Sequence, residues 1–221
     1  MNKISVAVVC YNEASVIEST LMNAKLFADE IVVFDSYSTD GTMDLLKKYD
    51  CNIYQHEFDN HRDQKNRAIE KCKNEWIFLL DSDEYIDDKL ISNLQNLTNN
   101  TEGIDAVAFP RKNYLDGDGP HGFPDIQTRL FKNYVRHFGH PFHHRADGNS
   151  KKSTVAMEYG CIIHEKSWKR QEKQNRLYYS LRPQDYATVP RGAENLTALP
   201  AQDPNNVNAY RDYLSRIKET E

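Results

Sequence analysis

Apolar and polar positions fall into alternating blocks over the first hundred residues. Lys3-Ile4-Ser5-Val6-Ala7-Val8-Val9-Cys10 is rich in valine and predicts a first strand. Ile17, Leu21, Ala24 and Ala28 then recur at four and three residues, one apolar stripe, which predicts a helix with Asn12 as its N-cap. Residues 31–34 predict a second strand that closes at Asp35, and residues 36–42 form a turn rich in capping residues before the helical face Met43, Leu46, Tyr49. A third strand is expected over 51–58, a helix over 62–73 with Ala68, Ile69 and Cys72 inward, and a fourth strand over 75–80. Strand and helix in alternation predict an α/β fold, with a mostly parallel, doubly wound sheet and helices on both faces.

The rest of the chain is organised around Trp76-Ile77-Phe78-Leu79-Leu80-Asp81-Ser82-Asp83-Glu84, an apolar run that breaks into three carboxylates. Five apolar residues without alternation fit a strand covered on both faces, and its carboxyl end is where ligands bind in open α/β sheets. On extended chain Asp81 and Asp83 project to the same side. Two carboxylates so close repel unless a cation lies beside them, and hard cations that bridge phosphates prefer carboxylate oxygens. A divalent metal holding a diphosphate is the economical reading.

Beyond this cluster Leu90, Leu94 and Leu97 predict a further helix, and residues 106–109 a strand. Residues 116–125, rich in glycine and proline, read as a flexible lid loop. Short β pieces are expected at 128–131 and 161–163, an α+β second half on the same sheet. Four of the eight prolines fall between Pro183 and Pro204, which predicts an extended tail over 183–221, closed by a short helix at 208–218. The domain reading is one unit over 1–182, divided near residue 100, followed by that tail.

With 39% hydrophobic and 28% charged residues the composition is that of a globular protein without a bilayer-spanning run. Polar Tyr11-Asn12-Glu13 cuts short the only apolar stretch near the start, so no secretory signal is expected. Four dispersed cysteines with no CxxC spacing favour a reduced, cytoplasmic setting. A formal charge of -5 argues against general nucleic-acid binding.

The motifs Val9-Cys10-Tyr11-Asn12-Glu13, Asp35-Ser36-Tyr37-Ser38-Thr39-Asp40-Gly41-Thr42, Gln64-Lys65-Asn66-Arg67-Ala68, Asp81-Ser82-Asp83-Glu84, Pro124 to Phe131, and Ile163-His164 together resemble the inverting glycosyltransferases of family 2. In particular they resemble small bacterial enzymes of lipopolysaccharide-core assembly. The resemblance implies a GT-A fold, with a nucleotide-sugar half over 1–100 and an acceptor half over 101–182. It also implies transfer of a sugar from a nucleoside-diphosphate donor, a UDP-sugar first, to a hydroxyl acceptor with Mn²⁺ or Mg²⁺. By similarity Tyr11, Glu13 and Asp35 meet the donor's base and ribose, Lys65 its base or diphosphate, and Asp81 with Ser82 the ribose or a metal-bound water. Asp83 ligates the metal, and His164 is its further protein contact. The base that takes the acceptor's proton is assigned to Asp125, with His144 in reserve because a histidine stands in Phe142-His143-His144-Arg145 where relatives place an acid.

A glycan or a lipid-linked saccharide is the expected acceptor. Lys166, Lys169, Arg170, Lys173 and Arg176 with Trp168, Tyr178 and Tyr179 predict a basic, aromatic helix, which suits a solvated face, contact with donor phosphates or an anionic acceptor, or peripheral contact with the inner face of a membrane that carries a lipid-linked acceptor. The proline-rich tail offers a docking segment for a homodimer. Two other functions compete: a non-catalytic nucleotide-sugar-binding subunit, and an Asp-x-Asp phosphohydrolase, which Glu84-Tyr85 does not suit. His137, His140, His143 and His144 lack the cysteine partners of a zinc site, and Asp116-Gly117-Asp118-Gly119 lacks the closing glutamate of a calcium loop.

Overall fold

Two apolar layers sandwich four parallel strands. β1 (Ile4–Cys10) lies between β2 (Glu30–Asp35) and β4 (Trp76–Asp81), with β3 (Asn52–Gln55) outside β2. Because side chains alternate across a strand, Val6, Val8, Phe78 and Leu80 enter one layer, and Ala7, Ile77 and Leu79 the other. The unbroken apolar run at 76–80 is thus explained, since every one of its residues is fully buried. Each large side chain so buried contributes roughly 1.5–3 kcal/mol of transfer free energy.

The structure, a computed structural model, describes residues 2–172 except 101–102, 140–143, 147–148 and 151–152. α1 (Ile17–Ala24) and α4 (Asp88–Asn99) put Ile17, Leu21, Leu90, Leu94 and Leu97 into the first layer, and α3 (His61–Lys71) puts Ala68 and Ile69 into the second. α2 (Thr42–Leu46) is a short helix whose Leu46 is fully buried. The remaining strands are β5 (Glu84–Ile86), β6 (Ala106–Leu115), β7 (Asp118–Lys132), β8 (Phe138–Gly139), β9 (His144–Arg145), β10 (Ser153–Val155) and β11 (Ile162–Lys166). The described main sheet has nine strands in the order β3-β2-β1-β4-β7-β6-β11-β5 with β10 on β6, and β8 pairs with β9 apart from it. The mixed, mostly parallel α/β sheet expected from the alternation is present, and β7 begins its antiparallel part against β4.

By contacts the chain divides into a unit of Met1–Arg111 with Asp125–His164, and a unit of Lys112–Pro124 with Glu165–Glu221. The first holds all the candidate site residues. In the second, the lid loop expected at 116–125 is instead a hairpin. Asp116 (φ 49°) and Gly117 (φ 82°) make a two-residue turn with both φ positive, which matches the right-handed twist of flanking strands and lets β7 run on for 15 residues. Residues 168–172 open the expected basic helix. The rest of that helix, the tail over 183–221 and the closing helix at 208–218 lie outside the described residues.

Two further expectations change. Asn12 is not a helix N-cap, since α1 begins at Ile17 after Val16, which offers no capping side chain. Asn12 instead adopts φ 57°, donates its N–H to Ser38 Oγ at 2.8 Å and accepts from Thr39 N at 2.8 Å, tying the segment after β1 to the segment after β2. The chain is also not extended from Asp81 to Asp83. Ser82 and Asp83 turn into β5, a strand absent from the sequence reading, so the two carboxylates part ways.

Candidate active site

Parallel register delivers the first site residues side by side. Cys10 pairs with Asp35 and Val9 with Asp81, so the carboxyl ends of β1, β2 and β4 come level. Tyr11 follows β1 and is 51% exposed, and Tyr37 follows β2 and is 52% exposed. Tyr37 holds φ 59°, a left-handed conformation that costs a side-chain-bearing residue roughly 1–2 kcal/mol. Glu13 is half-buried, and its backbone N–H donates to Thr42 Oγ1 at 2.8 Å. Asp35 is fully buried. Its Oδ2 accepts from Ser38 N and from Gln55 Nε2, both at 3.0 Å, and its Oδ1 from Ser38 Oγ, so the carboxylate braces this rim.

α3 supplies the first cation. Asn60 caps it by accepting from Asp63 N at 2.9 Å, and the inward stripe that carries Ala68 and Ile69 also carries Gln64 and Lys65. Lys65 is therefore buried beneath the sheet's edge, its Nζ 2.7 Å from Asp81 Oδ1. Arg129 Nη2, from β7, lies 2.7 Å from Asp81 Oδ2. Burial alone would push the Asp81 carboxyl up, but Arg129 and Lys65 hold it well below the ordinary carboxylate range. Ser82 is anchored through its carbonyl, which accepts from Thr20 Oγ1 at 2.9 Å.

Asp83 and Glu84 face different partners. Asp83 Oδ2 lies 3.1 Å from His164 Nε2, and both side chains are largely buried. The reason is the antiparallel pairing of β5 with β11, which sets Glu84 opposite His164. Glu84 is fully buried, and its Oε1 accepts from Arg129 Nη2 and from Arg111 Nη1, each at 2.6 Å. Arg111 turns its Nε and Nη2 to Asp125 Oδ2 at 2.8 and 2.6 Å, and Gln127 Nε2 donates to Asp125 Oδ1 at 2.6 Å. Asp125 therefore belongs to the same cluster, on the strand β7 rather than on a loop. His144 is placed only as backbone in β9; its side chain, with Phe142 and His143, lies outside the described residues.

Asp81, Glu84 and Asp125 are thus matched by Lys65, Arg129 and Arg111, while Asp83 faces an imidazole. Two ligands held at right angles by a metal with bonds of about 2.1 Å stand about 3 Å apart, and Asp83 Oδ2 and His164 Nε2 have that separation. Among the described residues no group of three His, Cys, Asp or Glu gathers for a metal, and Asp83 with His164 could supply two ligands as the protein's share. Such a share fits a cation that takes its other ligands from substrate phosphates and water. Sequence reading gave no role to Glu84, Arg111 or Arg129, although Glu84 stands beside Asp83 in the acidic motif and Arg111 closely follows the apolar run at 106–109.

Fold and site together define an α/β protein that presents charged groups above the carboxyl edges of a parallel sheet, the place where such folds bind ligands. Residues 5–163 match the model of "Glycosyl transferase family 2", and the chain belongs to that family. The glycosyltransferase SunS of Bacillus subtilis is 30% identical over 137 residues, 58% of this chain and 31% of that protein. The lipopolysaccharide core biosynthesis glycosyltransferase LpsC of Rhizobium meliloti is 31% identical over 121 residues, 52% of this chain and 44% of that one. This chain spans less than half the length of these curated relatives. The structure of S. aureus TarS 1–349 with UDP superposes with a TM-score of 0.61 at 17% identity, covering 87% of this chain and 77% of that one. The fold expected from the resemblance is the fold found.

Proposed function

We propose that this chain is a metal-dependent, inverting glycosyltransferase that moves a sugar from a nucleoside-diphosphate donor to a hydroxyl acceptor in glycan or glycoconjugate synthesis. The observation that carries the reading is the pair Asp83–His164 set 3.1 Å apart beside the Lys65–Asp81–Arg129 cluster, at the edge of a family 2 fold. A uridine donor comes first because TarS, which shares the fold, is known with UDP and with UDP-GlcNAc. LpsC belongs to lipopolysaccharide core biosynthesis, which supports a glycan or lipid-linked saccharide as the acceptor here, met at a membrane surface in the lipid-linked case. Among the described residues no helix is long and apolar enough to cross one.

Exposed Tyr11 and Tyr37 flank the rim where the nucleoside lies, and Glu13 accepts from ribose hydroxyls. Asp35 shapes that rim by holding the Ser38 turn. Asp83 and His164 would hold Mn²⁺ or Mg²⁺, which when bound neutralises charge on the departing diphosphate. Lys65 and Arg129 add fixed positive charge behind Asp81, aimed at the same developing negative charge. Asp125 accepts the proton of the acceptor hydroxyl as its oxygen bonds to the anomeric carbon. The bond to the diphosphate breaks on the opposite face with its electron pair, which inverts the configuration.

The test is the melting temperature with UDP, GDP, CMP, TDP or NAD, each with and without Mn²⁺, for the wild type and Asp83→Ala. One nucleoside diphosphate, UDP first, is expected to raise the wild-type value only with metal and to do nothing for Asp83→Ala, whose ligand-free value stays at the wild-type level. Equal stabilisation of Asp83→Ala would sink the metal assignment. No response to any of the nucleoside diphosphates would sink the donor reading.

A further inference from the structure

Glycosyl transfer as proposed engages Asp125, Lys65, Asp81, Arg129, Asp83 and His164 and leaves two charged residues of this cluster unassigned. Glu84 is fully buried at the start of β5, and Arg111 stands on β6 with 17% of its side chain exposed. Removing such charges from water is costly, and buried ion pairs are often no more stabilising than apolar side chains of the same volume. Their retention in a core therefore points to a task other than stability. The task is legible in the bond pattern. One oxygen, Glu84 Oε1, receives both Arg111 Nη1 and Arg129 Nη2 at 2.6 Å, which fixes two guanidinium planes from one atom. Arg111 then spends its other two donors, Nε and Nη2, on a single oxygen of Asp125, at 2.8 and 2.6 Å. Two donors from one rigid fork fix the place of Asp125 Oδ2, which a single flexible ammonium does less well, and Gln127 Nε2, donating to Oδ1 at 2.6 Å, completes the hold on the carboxylate's rotation.

We propose that Arg111, seated on the buried Oε1 of Glu84, is the positioning residue that aims the Asp125 carboxylate at the acceptor hydroxyl. The proposal rests on the reading of Asp125 as the base. Glu84 also makes the arrangement continuous: Lys65, Asp81, Arg129, Glu84, Arg111 and Asp125 alternate in charge and are each within 2.8 Å of the next. The groups that hold the donor and the group that takes the proton are thereby fixed in one frame. A misaimed base loses rate steeply because proton transfer needs hydrogen-bond reach to the attacking hydroxyl.

The experiment measures UDP release from UDP-GlcNAc and UDP-glucose with Mn²⁺, water serving as acceptor, in the full chain. The variants are Asp125→Asn, Arg111→Met, Arg111→Lys, Glu84→Gln and the double variant Arg111→Met with Asp125→Asn, each with its UDP affinity from calorimetry. Arg111→Met is expected to lower kcat about 10-fold or more while the Kd for UDP stays within about 2-fold, and Arg111→Lys to recover part of the loss. Once Asp125 is Asn, Arg111→Met is expected to cost nothing further, because the group it aims is gone. A full additional loss in the double variant, an unchanged rate in Arg111→Met, or a parallel loss of UDP affinity would each overturn the proposal. Should Arg111→Met not fold, Arg111→Lys and Glu84→Gln carry the same comparison against Asp125→Asn. A wild type that turns over either sugar while Asp125→Asn keeps its rate removes the base and this inference, leaving the transferase reading standing. A wild type that releases no UDP from either sugar overturns both.

Discussion

Asp81 meets Lys65 and Arg129, and Arg129 also meets the fully buried Glu84, which Arg111 holds as well. Removing Arg129 leaves Asp81 with Lys65 and Glu84 with Arg111, so each carboxylate loses one of its two cations, and breaking buried pairs costs roughly 3–5 kcal/mol. Arg129→Met is therefore expected to shift the urea midpoint strongly downward, by far more than an exposed pair such as Lys47–Asp44 would when Lys47 is replaced. The thiols give a second prediction at this scale. Burial, with a smaller push from Glu30, drives the Cys72 thiol up to about 12, and burial together with Asp35 pushes Cys10 higher still. Both are expected to resist iodoacetamide at pH 8 in the folded protein and to react once urea unfolds it, read by intact mass. The identity of the acids and of His164 was legible as residue type. What each acid pairs with was not, because Glu84 reaches Arg111 and Arg129 across 27 and 45 residues.

Where α4 begins, one carboxylate and one glycine do most of the joining. Asp87 accepts from Leu90 N at 2.8 Å and from Cys161 N at 3.0 Å, so it caps the helix and pins the residue before β11. Gly160 sits against this cap with φ 130°, and a Cβ there would lie 2.5 Å from Asp87 Oδ1 and collide with the backbone N of Leu90. Gly160→Ala is expected to destabilise by about 2–4 kcal/mol, more than Asp87→Ala at about 1–2 kcal/mol, in equilibrium unfolding. Because β11 carries His164, Gly160→Ala is also expected to weaken metal-dependent UDP stabilisation. Helix periodicity and apolar runs gave these elements away, as Leu90, Leu94 and Leu97 show. The hairpin at Asp116-Gly117 was readable too, from a two-residue turn that tolerates positive φ, but the proline and glycine around it favoured a loop. β5 was not readable at all, since three residues among acids carry no strand pattern of their own.

Acid stability belongs to the whole molecule. Asp59, held by Arg67, titrates at about 2, and Asp63, held by Arg62, is also lowered; Asp40 is lowered because the Thr42 hydroxyl and nearby amides outweigh its burial. A carboxylate lowered on folding stabilises fully above its unfolded value near 3.8, and that stability disappears as pH falls through the folded value. The folded state is therefore expected to hold its urea midpoint down to about pH 4 and to lose it between about pH 4 and 2. Asp59→Asn is expected to flatten the slope in that window. Sequence alone determined the α/β class, the central strand at 76–80 and the acids at its end, because burial on two faces and helical stripes are local patterns of side-chain period. Only the tertiary structure decided that Asp81 and Asp83 serve different partners, that Asp125 lies in the grip of Arg111, and that His164 comes within 3.1 Å of Asp83. Those facts depend on strand order and register, which are set by which apolar faces fit together across the whole chain and leave no mark at the residues they bring into contact.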